Sequence, residues 1–109
     1  MNYKKNEIKE YFEDFITDID KDTLNELIED QELHHEAFNT DYYIIGTYKA
    51  KQWLSDKVFD IIEFIKEYEE MNFGELYTDL SDPEKVVNMY VYIIGEEIVN
   101  DYYQECEAI

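Results

Sequence analysis

Apolar residues recur at three- and four-residue spacing along almost the whole chain, and only three glycines and one proline interrupt them. That period lines one face of an α-helix, so the pattern points to an all-helical fold and away from sheets. A first helix is expected over roughly 4–19. There Ile8, Tyr11, Phe12, Phe15, Ile16 and Ile19 share a face, and Glu7, Glu10, Asp14 and Asp18 lie opposite. A second helix should begin after Asp22, an N-cap residue type, and bury Leu24, Leu27, Ile28 and Leu33. Asn39 or Thr40 would cap a third, "DYYIIGTYKAKQWL", and Ser55 or Asp56 a fourth, "KVFDIIEFIKEYEEM". "NFGELYTDL" then reads as a connection turning at Gly74.

The clearest start signal is "SDPE". Ser81 and Glu84 have capping-box spacing, and Pro83 would sit in the first turn, where its missing N–H costs nothing. The last helix should run from about Asp82 towards Cys106. Its middle, "VVNMYVYII", is apolar almost all round, which implies burial between other helices. Gly95 offers a place for a close helix crossing, at about 1 kcal/mol of helix propensity relative to Ala. No repeat, low-complexity tract or linker is present. The expected fold is all-α: one compact domain over 1–109, a bundle of about five helices with a long, largely buried C-terminal helix.

Charge is the second constraint. Acidic residues number 28 against 9 basic, for a net charge of -19. Charge of this size can accompany disorder, but disordered chains are also poor in apolar residues. Ile, Leu, Val and Phe make up 30 of the 109 residues, above the roughly one-fifth associated with disorder. The chain should therefore fold, against its own repulsion. Crowded carboxylates bind protons more readily when folded, so the expected melting temperature is higher at mildly acid pH and in added salt.

Several function classes drop out. The single Cys106 allows no internal disulfide and no CxxC redox motif. "MNYKKNEIKEYF" lacks the apolar run of a signal peptide, and no stretch approaches the ~20 apolar residues of a membrane span. A cytoplasmic location is expected. His34 and His35 are adjacent, so on a helix they diverge by about 100° and cannot act as i, i+4 metal ligands. There is no nucleophile motif and no phosphate-binding glycine loop. Carboxylates are too common to single out an acid/base couple. No enzyme activity, cofactor or metal is expected.

One stretch tests that conclusion. "DIDKDTLNELIE", Asp18 to Glu29, places acids at the first, third, fifth, ninth and twelfth positions, the spacing of an EF-hand calcium loop. The sixth position of such a loop needs glycine for its sharp turn. Here it is Thr23, a β-branched residue for which positive φ is an outlier. Position eight, normally apolar, is Asn25, and there is no second loop. Helix capping accounts for Asp20 and Asp22, and calcium binding over 18–29 stays a remote alternative.

The acids have their own pattern. In the fourth helix Val58, Ile61, Ile62, Ile65 and Tyr68 should face inward, while Asp60, Glu63, Glu67 and Glu70 form a second stripe. The last helix adds Glu97, Asp101 and Glu105, with Glu96 beside them. Like charges at i, i+4 destabilise a helix by about 0.2–0.5 kcal/mol per pair. Yet only Lys66 lies inside the first stripe, and no lysine lies inside the second. A domain of this length is ~35 Å across, and duplex DNA of that length carries about 20 phosphate charges. A net charge of -19 is of that order.

"LHHEAFNTDYYIIGTYKAKQWL" followed by "SDPEKVVNMYVYIIGEEIVNDYYQE" resembles the layout of the Ocr-type anti-restriction proteins of phages. The shared features are the Leu33–His34 start, the Tyr42–Tyr43 pair before an apolar helix, and a long helix after Pro83 bearing Val86, Val87 and Met89. The resemblance implies a small acidic helical mimic of bent duplex DNA that occupies the DNA channel of a host defence enzyme, either restriction–modification or CRISPR. It implies a host-cell cytoplasmic site of action, a basic DNA-binding protein or nuclease as partner, and no direct nucleic-acid or membrane binding. Asp60, Glu63, Glu67, Glu70, Glu96, Glu97, Asp101 and Glu105 would stand in for phosphates. The chain ends in "CEAI" where that type carries an extended acidic tail, and a homodimer is left open. The alternative is an acidic module that binds a basic protein away from its DNA site, with Tyr102 and Tyr103 as hot-spot residues.

Overall fold

The computed structural model describes residues 1–38 and 45–107. Over these the chain is all-α, with five helices: α1 (Lys5–Asp18), α2 (Lys21–Asp30), α3 (Leu33–Ala37), α4 (Thr47–Phe73) and α5 (Pro83–Glu107). No strand occurs among the described residues. By backbone proximity the chain forms two compact units, one of Thr40–Ile93 with Met1, the other of Asn2–Asn39 with Ile94–Ile109. α5 therefore gives its first part to one unit and its second part to the other.

In the unit containing α1, Ile8 and Phe12 of the expected apolar face are buried, Phe15, Ile16 and Ile19 are half-buried, and Tyr11 is exposed. The Phe12 ring lies 5.9 Å from Phe38, nearly parallel, and meets Tyr102 edge-on at 5.4 Å. Gly95 is needed here, because a Cβ on it would stand 2.5 Å from the Phe38 ring. The close approach at Gly95 is thus between α5 backbone and an aromatic ring, in place of the helix crossing expected from the sequence.

α2 starts one residue after Asp20, two residues earlier than expected. Asp20, not Asp22, is the cap, accepting from Thr23 N–H at 3.3 Å. The helix closes on Gln31 in the left-handed region (φ 58°), with Glu32 N–H donating to the Leu27 carbonyl at 2.9 Å. Leu33 is fully buried as expected, but belongs to the short α3, while Leu24, Leu27 and Ile28, also expected in the core, are only half-buried. Its N–H donates to the Tyr103 hydroxyl oxygen at 3.3 Å.

In the other unit, the expected third and fourth helices are one element, α4, broken only by a kink at Lys57 (φ -141°, ψ 36°). Ser55 caps nothing; its hydroxyl donates back to the Gln52 carbonyl at 2.8 Å. The expected caps Asn39 and Thr40, and the Tyr42–Tyr43 pair, lie outside the described residues. Gly46 precedes the first turn instead. The entry to α4 is held by buried Asn88, which accepts from Ile45 N–H and donates to the Ile45 carbonyl, both at 2.9 Å. A buried amide satisfied on both sides stabilises a fold that an unpaired one would penalise.

α4 ends at Gly74, as expected, where φ is +78°. At the start of α5 the capping box does not form. Asp82 caps instead, accepting from Glu84 N–H at 3.0 Å and Lys85 N–H at 3.4 Å, while Ser81 turns to Asp79 at 2.6 Å. Pro83 takes the first helical position. Ile61, Ile65, Val86, Val87 and Tyr90 are fully buried, with Phe64 edge-on to Tyr90 at 5.7 Å.

Candidate functional site

Ile61 and Ile65 fix which side of α4 faces inward, since both are fully buried. At about 100° per residue, Asp60, Glu63, Glu67 and Glu70 fall within an arc of about 80° on the opposite side. All four are exposed. They span about 15 Å of helix axis, after the kink at Lys57. Among the described residues, one ion pair touches this stripe: Lys66 to Glu63 at 3.9 Å.

The α5 acids stand in different surroundings. Glu97, Asp101 and Glu105 are exposed and share an arc, whereas Glu96 is half-buried and lies about 100° away. Glu97 pairs with Lys5 of α1 at 3.4 Å. Asp101 and Glu105 border a groove of about 720 Å³ whose other wall carries Lys5 and Lys9 over a floor including Phe12 and Ile98. The sequence shows no lysine inside this stripe because its lysines come from a helix some ninety residues earlier.

Tyr102 and Tyr103, expected as contact residues, are half-buried. Tyr102 packs on Phe12, and Tyr103 receives the Leu33 N–H. Burial chiefly, then hydrogen bonding to Cys106 and the charges of Cys106 and Glu105, raise the Tyr102 phenol above its ordinary pKa. Both rings are committed to packing and hydrogen bonding within the fold.

Glu69 is the residue that reading the stripes missed. It is 1% exposed. One carboxylate oxygen accepts from Tyr77 N–H at 2.7 Å and Thr78 N–H at 3.1 Å, and the other accepts from the Thr78 hydroxyl. A signal existed: Glu69 lies four residues from Ile65 and eight from Ile61, on the buried face. Beside it the Tyr68, Phe73 and Tyr77 rings meet edge to face, at 6.0 Å and 5.5 Å. Further along, Asp79 accepts from the Ser81 hydroxyl and N–H, and these hydrogen bonds lower its carboxyl pKa.

Large apolar side chains also stand in solvent on this unit. Phe59 is 82% exposed, Met71 84% and Tyr77 66%.

The calcium-loop spacing meets a different backbone. Thr23 lies inside α2, and Asp20 is spent on capping it. Among the described residues positive φ occurs only at Lys4, Gln31 and Gly74, so the turn an EF-hand makes at its sixth position is absent from 18–29. No three His, Cys, Asp or Glu side chains among the described residues converge to hold a metal ion. Likewise, no described helix is long and apolar enough to cross a membrane. Comparison with family models, characterised proteins and solved structures finds no match to this chain.

Proposed function

We propose that this protein is an acidic inhibitor that presents the outer face of α4 to a basic DNA-binding protein in place of duplex DNA. The observation that carries the reading is the α4 stripe: four exposed carboxylates on one arc, opposed by a single half-buried lysine at 3.9 Å. Along the axis the stripe holds one charge per about 5 Å, against about 3.4 Å per phosphate on one DNA strand. A lysine- or arginine-lined channel would find there a charge row somewhat sparser than its normal ligand.

The partner class follows from the resemblance to Ocr-type phage proteins: a restriction–modification enzyme or CRISPR effector of the host, inhibited by occupation of its DNA channel. Asp60, Glu63, Glu67 and Glu70 take the phosphate role first. Glu97, Asp101 and Glu105 contribute less: Lys5 pairs with Glu97, and Lys5 and Lys9 line the groove that Asp101 and Glu105 border.

A second reading has an observation in its favour. Phe59, Met71 and Tyr77 expose rings and a thioether that phosphate imitation does not use, which suits an acidic module docked on a protein surface outside the DNA site. Competition separates the two. With the target captured from host lysate on immobilised protein, excess duplex DNA should release it if the protein is a mimic. A ternary complex of protein, target and DNA would instead establish off-site binding.

A further inference from the structure

The connection after α4 is exposed, yet it is fixed from beneath by a buried carboxylate. Glu69 uses both oxygens on Tyr77 and Thr78. The Tyr68–Phe73–Tyr77 ring series braces the same turn from the side. What this fixes in space is apolar: Phe73 is 48% exposed, Leu76 39% and Tyr77 66%.

We propose that the tip formed by Phe73, Leu76 and Tyr77 is a preorganised apolar anchor for a protein segment that carries lysine or arginine beside apolar side chains. The proposal rests on the reading that the α4 acids face a basic partner, and it adds the part of that partner that charge alone does not describe.

Ordering side chains and loops on binding costs affinity, and here the backbone under Tyr77 is already held by Glu69. Tyrosine offers large contact area with few torsions to lose. Charge then selects the occupant. Glu70, Glu75 and Asp79 flank the tip and are exposed, and the Ser81 hydrogen bonds favour the ionised form of Asp79. A second copy of the tip would bring the same acids face to face, whereas a basic apolar segment meets both features at once.

The test uses the full chain and two labelled peptides of equal length and lysine content, one with leucine and one with serine between the lysines. Fluorescence anisotropy in low salt should show the leucine peptide bound about tenfold or more tightly than the serine peptide, the size expected for interface anchors. Phe73→Ser with Tyr77→Ser should abolish that preference and leave serine-peptide affinity unchanged; both positions are exposed, so the fold survives, as circular dichroism checks. Glu69→Gln, at a positioning residue, should lower the preference for the leucine peptide, with any loss from the one removed charge shared equally by both peptides.

Equal affinity of the native protein for both peptides, or a preference that outlives the double serine variant, overturns the anchor while leaving the acidic face intact. Binding of neither peptide in low salt removes the basic-partner reading, and the anchor with it.

Discussion

α4 and α5 both carry acids at helical spacing, three and four residues apart on α4 and four apart on α5, and local sequence does not show which row stays open in the folded chain. Their surroundings do. The α4 stripe faces out with one lysine on its own helix at 3.9 Å, while the α5 acids meet Lys5 and Lys9 across a groove and one of them, Glu96, is half-buried. A row of like charges is therefore a property of the folded neighbourhood as much as of the helix that bears it. Counting carboxylates along the chain overstates the field on α5 and describes it fairly on α4.

The largest effect should come from setting the two rows against each other. Glu63→Lys with Glu67→Lys is expected to lower affinity for a basic partner by about 100-fold, and Glu97→Lys with Asp101→Lys by less than about fivefold. The serine–lysine peptide measures both, and equal losses would erase the distinction between the helices.

Within α4 the contrast is buried against exposed. Glu69→Ala should destabilise the protein by about 2–3 kcal/mol, since it strips two backbone donors and a hydroxyl of their acceptor. Glu70→Ala, one residue on and exposed, should cost less than about 0.5 kcal/mol. Urea midpoints compare them directly.

Lys5→Ala sharpens the contrast from the other side. It should cost under about 1 kcal/mol, as exposed ion pairs do, and yet free Glu97 for an outside cation. Measured in a background where Glu63 and Glu67 are already reversed, lysine-peptide affinity should rise; no rise would mean that Lys5 does not shield α5.

The smallest effect concerns Tyr102, on the wall of the α5 groove. Its folded pKa lies above the ordinary 10.0, so the fold favours the neutral phenol. The resulting stabilisation is fully present below pH 10 and is lost as pH climbs through the folded value. The urea midpoint of the native protein should fall relative to Tyr102→Phe above pH 10, where the variant has no phenol to ionise.

How much of this was legible beforehand depends on the range of the interaction. Helix content, the Gly74 stop and the burial of α5 follow from periodicity and turn chemistry within a few residues. The inward face of α4 was legible for the same reason, and with it the outward aim of Asp60, Glu63, Glu67 and Glu70. The caps were less so, because in an acid-rich chain several neighbours qualify: Asp20 displaced Asp22, and Asp82 displaced Ser81.

What stayed hidden was set at long range. Lys5 lies 92 residues from Glu97, and Tyr103 lies 70 from Leu33, so local spacing says nothing of either. Glu69 sits between the two cases. Its position on the buried face was readable, but an acid among twenty-eight looks like one more surface charge until its three donors are seen.

The ring of Phe38 lying against bare backbone at Gly95 has a bearing on how this chain can drift. Any side chain added at 95 collides with the ring, and trimming the ring alone leaves a void beneath it. The two sites, 57 positions apart in the sequence, can change only as a couple. Paired substitution, a larger residue at 95 with a smaller one at 38, is the mark that descent should leave on them.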